Sequence, residues 1–179
     1  MGNLFFDMRK FMFIGIALLL MLITACGYGA GRDGINRRTI DKLDLDSIMG
    51  QWYEIARFDH RFERGMEAVT ANYTLQSDGT VLVENRGMRD GKEQLAIGHA
   101  KTTNEVGRLR VTFFWKFYSD YNILAMGERG EWMLVGSHSP RYLWILSRTP
   151  SMPERQLQYV VSLAAQRGYD IDKLIYVKH

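Results

Sequence analysis

Gly50-Gln51-Trp52-Tyr53-Glu54-Ile55-Ala56-Arg57-Phe58 is the stretch on which the reading of this chain turns. Aromatic and β-branched residues gathered behind a glycine predict a strand. Alternation puts Trp52, Glu54, Ala56 and Phe58 on one face and Tyr53, Ile55 and Arg57 on the other. A tryptophan at the very start of a strand fits a plug at the end of a barrel or sandwich. Glu54 is the odd member of its face. If that face is the interior, its carboxyl needs a partner or a raised pKa; if not, it stands near a wet strand end.

Upstream, Leu43 to Met49 reads as a short helical turn leading into this strand. Downstream, after a charged connection from Asp59 to Glu67, the alternation continues. Strands are predicted from Val69 to Leu75, Thr80 to Met88, Glu93 to Thr103, Arg108 to Phe114, Asp120 to Gly127, Glu131 to His138 and Tyr142 to Ser147. Turn residues separate them, and Pro140, Pro150 and Pro153 all fall outside them. Eight strands joined without a crossover-length helix form a meander, which closes into an up-and-down antiparallel β-barrel, with a sandwich as the alternative. Glu154 to Arg167 is the clear helix, with Ser151 as its cap, Pro153 in its first turn and Gly168 at its end. Its stripe of Leu157, Val160, Val161 and Ala164 needs a surface to cover, and the barrel wall supplies one. Leu174 to Val177 is a last short strand.

In such a meander Trp52 opens the first strand at one end, and Arg148 follows the eighth strand at that same end. Closure makes these strands neighbours and sets the guanidinium over the indole, worth roughly 0.5–2 kcal/mol. That end is a plug, and the opposite end a mouth.

The N-terminal part has another purpose. Arg9 and Lys10 precede an apolar run, Phe11 to Ile23, too short to span a bilayer comfortably, so residues 1–25 read as a signal peptide. Met1 and Met8 are both open as translation starts. Cys26 is the only cysteine among 179 residues, so no internal disulfide can form. Residues 26–38, with Gly29, Gly31 and Gly34, read as a flexible tether. Removing residues 1–25 takes away Arg9, Lys10 and Asp7, leaving 21 basic and 19 acidic side chains and a net charge of +2. That balance carries no nucleic-acid footprint.

Ile23-Thr24-Ala25-Cys26 resembles the bacterial lipobox, which implies lipidation of Cys26; Gly27, in place of a retaining aspartate, implies the periplasmic side of the outer membrane. From Leu43 to Val177 the chain resembles the lipocalins, in particular their bacterial lipoprotein branch. Gly50-Gln51-Trp52-Tyr53-Glu54 is similar to the first motif of that family, and Tyr142 to Pro150, with Arg148 in place, to the third. Gly50, Trp52 and Arg148 are then the structural motif. The second motif, Thr-Asp-Tyr, is missing, and Glu128-Arg129-Gly130 stands where it would fall.

With Trp52 taken as inward, parity nominates Glu54, Ala56, Phe58, Val111, Phe113, Tyr121, Ile123, Trp144 and Leu146 as wall. The ligand-binding candidates among them are Glu54, Phe58, Phe113, Tyr121, Ile123 and Trp144. Such a wall suits an acyl chain, with a headgroup at the mouth near His60, Arg61, Arg64, Lys116 and Arg141. The resemblance implies fatty acids or lysophospholipids as ligands, stored or carried at the envelope, and no catalysis. A lipocalin-fold enzyme acting on a lipid, and an interaction module docking through Phe117 and Tyr118, are the alternatives. No motif calls for a cofactor, and His60, His99, His138 and His179 lack metal-ligand spacing. Oligomeric state is not encoded in any feature of the sequence.

Overall fold

The computed structural model describes residues 31–179. The signal peptide, Cys26 and the first part of the tether lie outside the described residues. Eight strands follow in order: β1 (Gly50–Phe58), β2 (Glu67–Leu75), β3 (Val81–Arg89), β4 (Lys92–Thr102), β5 (Arg108–Thr112), β6 (Ser119–Met126), β7 (Trp132–Gly136) and β8 (Leu143–Ser147). Each pairs antiparallel with the next, and β1 pairs with both β2 and β8, so the sheet closes on itself as an up-and-down barrel. Closure satisfies the period-2 hydrophobic pattern, because each strand presents one apolar row that must be taken out of water.

Two cores result. The inner one fills the plugged end with Ile48, Trp52, Ile123, Met133 and Val135. The outer one lies between the barrel wall and helix α1 (Glu154–Gln166), where Val160 and Ala164 are fully buried and Leu157 and Val161 pack beside them. The helix starts differently from expectation. Pro153 is its N-cap and makes no side-chain cap bond, and the Ser151 carbonyl instead accepts from the Thr149 hydroxyl at 2.7 Å. Beyond the helix, β9 (Leu174–Tyr176) pairs with the upper half of β1.

The tether reading is corrected over its second half. Ile35 is buried in the outer core, the Asn36 N–H donates to the Arg167 carbonyl at 2.8 Å, and Arg37 Nε donates to the Ser137 carbonyl at 3.1 Å. An apolar side chain in a glycine-rich stretch has found a hydrophobic shelf beside the helix, and burial fixes the backbone around it.

The parity of β1 is also corrected, with direct consequences for the cavity. Against β8, Glu54 faces Leu146 but Ala56 faces Ile145, so one extra residue, Ile55, is inserted. This β-bulge reverses the alternation above it. Ile55, Ala56 and Phe58 therefore point outward into the helix-covered core, while Arg57 turns inward.

Candidate functional site

Arg148 closes the plugged end. Its guanidinium carbon lies 3.6 Å from the centre of the Trp52 ring, and its nitrogens donate to the Gln51 and Ser47 carbonyls, both at 2.8 Å. The Trp52 indole N–H donates to the Ile48 carbonyl at 2.8 Å, which ties the 3₁₀ turn Leu45–Ile48 under the barrel. Gly50 has φ +83°, and a Cβ there would stand 3.7 Å from Arg148 Nη1. The positive φ reserves the position for glycine.

Above this floor lies a cavity of about 550 Å³ that opens at the other end. Its size is in the range of small-molecule sites. The lower wall is apolar, built by Ile48, Val81, Val83, Ala100, Leu109, Val111 and Leu146. Gly98 is part of how that wall is shaped: a Cβ there would come within 2.7 Å of the Phe113 ring, so only glycine lets the phenyl group lie against β4.

Of the six candidate ligand residues, the structure brings Glu54, Phe113, Tyr121 and Trp144 to the cavity. Phe58 and Ile123 are corrections. Phe58 is turned outward by the bulge and meets Tyr169 edge-on at 6.1 Å. Ile123 faces inward but sits below the cavity in the packed floor, opposite Val135. Ala56 leaves the wall for the same reason as Phe58. Tyr121 does line the cavity, but its hydroxyl lies 2.9 Å from that of Tyr73. Burial raises both phenols, Tyr73 to about 12, so the two rings form a neutral hydrogen-bonded pair.

The polar end of the cavity holds more than the sequence pattern indicates. Arg57, 2% exposed, donates to Glu54 Oε1 and to the Glu63 carbonyl, both at 2.7 Å, and more weakly to the Met66 carbonyl at 3.3 Å. It thereby pins the β1–β2 connection across the mouth. Glu63 Oε2 lies 3.0 Å from His60 Nε2 and accepts from the Trp144 indole N–H at 3.2 Å. Tyr142 stacks on Trp144 at 5.8 Å and 11°. Burial, then the negative Glu63 nearby, push the Glu54 carboxyl well above the usual range, more than Arg57 can pull it back. Burial also pushes Glu63 up, but bonds from His60 and Trp144 and the charge of Arg57 outweigh it and hold Glu63 below that range. The two shifts are opposite in sign, so of the two carboxyls around the single guanidinium Glu54 holds its proton the more tightly.

The cationic mouth expected from the sequence is corrected as well. His60 lines the cavity, whereas Arg64 is turned aside to Asp59 at 2.9 Å, Arg61 lies over the Phe62 ring, and Lys116 lies beside Trp115. Arg141 is exposed on the β7–β8 connection and is not part of the wall. The arginine that does reach the cavity is Arg89, whose Nε is buried without a partner. Among the described residues, no cluster of three or more His, Cys, Asp or Glu is placed to hold a metal ion.

This geometry has relatives. An outer membrane lipoprotein Blc of Citrobacter freundii is 37% identical over 175 residues, covering 96% of this chain and 98% of that protein. Its namesake in Escherichia coli (strain K12) is 38% identical with the same coverage. Among solved structures, insecticyanin of the tobacco hornworm Manduca sexta superposes with a TM-score of 0.67 at 18% identity, over 79% of this chain and 84% of that one. The profile of the lipocalin-like domain matches residues 43–179, from just ahead of the Trp52 strand to His179. With the barrel, the arginine-capped tryptophan and the open cavity all inside that span, the chain belongs to the lipocalin family.

Proposed function

We propose that this protein is a lipoprotein of the bacterial outer membrane that holds a single-chain lipid, a fatty acid or a lysophospholipid, in its barrel. The observation that carries the reading is the cavity itself: closed below, apolar along its lower wall, and lined at its mouth by both polar groups and aromatic rings. Relatives that cover nearly the whole chain are outer membrane lipoproteins by name, which supports the location. An acyl chain of about fifteen methylenes gains roughly 12 kcal/mol on burial. Association and ordering consume at least about 4 kcal/mol of that, leaving micromolar or tighter binding. The charge at the mouth favours a headgroup that carries its own positive group. A free fatty carboxylate would have to approach Glu63 and Asp120, with Arg89 and His60 as the basic side chains on the wall. Storage or transport at the envelope, in the service of membrane maintenance, is the role such a site supports, and binding without turnover is its chemistry.

Delipidated protein is expected to take up a lysophospholipid at micromolar concentration, seen as one added mass by native mass spectrometry. The uptake should change indole fluorescence, and Trp144→Phe should remove most of that change. Absence of uptake for both lysophospholipid and fatty acid rejects the reading. Release of a cleaved product would instead favour an enzyme on the same barrel.

The location has its own test. Cys26→Ser is expected to move the folded protein from the membrane to the soluble periplasmic fraction. A serine variant that, after signal cleavage, still resists an alkaline carbonate wash of the membranes rejects lipidation of Cys26 as the anchor.

A further inference from the structure

Between β5 and β6 the chain reads Phe113-Phe114-Trp115-Lys116-Phe117-Tyr118. Phe114, Trp115 and Phe117 are 74%, 75% and 68% exposed. A folded domain seldom leaves a patch of such rings uncovered without a use for it. The loop is also ordered by its own contacts. Phe114 and Phe117 stack at 6.2 Å and 11°, Trp115 meets Phe117 edge-on at 6.3 Å, and the Thr112 hydroxyl lies 3.2 Å from the Phe114 carbonyl. Trp115 has φ +50°, a costly conformation for a bulky side chain. The loop bears that strain while its indole stands in solvent. The Lys116 ammonium lies 5.7 Å from the Trp115 ring centre, and Phe62 adds another exposed ring from the β1–β2 connection at the same end.

Exposed tryptophan and phenylalanine beside a lysine suit a membrane–water boundary. The rings enter the headgroup region, and the ammonium remains with the phosphates.

A second observation concerns where the chain joins the barrel. Gly31 lies against the Arg37 guanidinium, with a Cβ position 2.9 Å from Nη1, and Arg37 Nε donates to the Ser137 carbonyl. Ser137 belongs to the β7–β8 connection, at the mouth end. Cys26 is five residues before Gly31, so even a fully extended chain between them reaches only about 18 Å. A lipid on Cys26 therefore holds the mouth end, rather than the plug, close to the bilayer.

We propose that the loop carrying Phe114, Trp115 and Phe117 inserts into the surface of the membrane that holds the anchor, and sets the mouth of the cavity against the lipid. The orientation rests on the Cys26 anchor proposed above; the insertion of the loop does not.

The test uses the full lipidated protein in vesicles of phosphatidylethanolamine and phosphatidylglycerol. An environment-sensitive fluorophore is attached through Phe117→Cys, or in a separate preparation through Asp78→Cys on the β2–β3 turn at the opposite end. The label at 117 is expected to shift to the blue and to be quenched by spin-labelled lipid, while the label at 78 stays in water. Equal quenching at both positions, or at neither, overturns the proposal. Shielding at 117 without lipid quenching, accompanied by cross-links between copies, overturns it in favour of a second copy of the chain. A further arm takes the Cys26→Ser chain, which has no anchor, and measures its sedimentation with the same vesicles. Trp115→Ser with Phe117→Ser should weaken that association about tenfold while leaving the near-ultraviolet dichroism of the buried core in place. Unchanged association overturns loop insertion, whatever the fate of the anchor.

Discussion

Trp52→Ala should destabilise the barrel by about 3–5 kcal/mol, a large share of the 5–15 kcal/mol that a domain of this size commands. The indole is fully buried, it fills the space between the 3₁₀ turn and the inner core, and its N–H holds the Ile48 carbonyl. Truncation leaves a void, an unpaired carbonyl and an arginine without the ring it covers. Arg148→Ala should cost less, because that side chain is partly in water and its partners are carbonyls that water can reach. The double variant is the informative one. A guanidinium 3.6 Å from the ring centre should couple the two changes by more than about 0.5 kcal/mol in urea-melt midpoints. Additive effects would show that the contact contributes nothing beyond proximity.

Arg57→Met should cost a similar amount, about 3–5 kcal/mol, for an electrostatic reason. Removing this buried guanidinium strands Glu54, Glu63 and two backbone carbonyls of the β1–β2 connection in a low-dielectric site. The same cluster predicts a pH profile. Glu54 has a folded pKa above the ordinary value of 4.5, so the native state holds its proton more tightly than the unfolded chain does. The resulting stability is fully present below about 4.5 and is lost as pH rises through the folded value. Glu63 is shifted downward, so its contribution is present above the ordinary range and is lost as pH falls through its folded value. Urea midpoints across a pH series should therefore decline on the alkaline side in the native protein and stay flatter there in Glu54→Gln. A decline of equal steepness in that variant would assign the alkaline loss to another group.

The meander could be read from the sequence because most of its turns are marked by glycine and its strands keep a period of two. Trp144 and Leu146 follow that rule and face inward, opposite Arg57 and Glu54 in the β1–β8 register. Ala56 and Phe58 do not, because a single inserted residue carries no sign in an apolar run. Phe58 is equally at home inside the barrel or under a helix, so hydrophobicity alone could not choose. The Arg57–Glu54 pair was hidden by the same bulge; strict alternation puts residues three apart on opposite faces. Glu63 and His60 were harder still. They belong to a connection folded over the mouth by tertiary contacts with Arg57 and Trp144, and no local periodicity records such a fold. Ile35 sat in a glycine-rich stretch, and its shelf exists only once the helix has docked.

The seam between β1 and β2 has a consequence for the order in which the barrel can form. Their direct pairing runs only from Gly50 to Tyr53, and above it the gap is filled by the segment after α1. The Val177 N–H donates to the Ile55 carbonyl, the Ala68 N–H to the Lys178 carbonyl, and the His179 ring lies 2.9 Å from the Glu54 carbonyl, 125 positions away in sequence. Two strands that are neighbours along the chain thus depend on residues synthesised more than a hundred positions later to finish the wall between them. Loop-closure entropy for contacts of such separation must be met before they stabilise anything, which places the sealing of this seam late in folding. A nascent chain can build the plug and much of the meander, but the upper wall between β1 and β2 stays unsewn until the segment after α1 has emerged, and until then the cavity is open along that side.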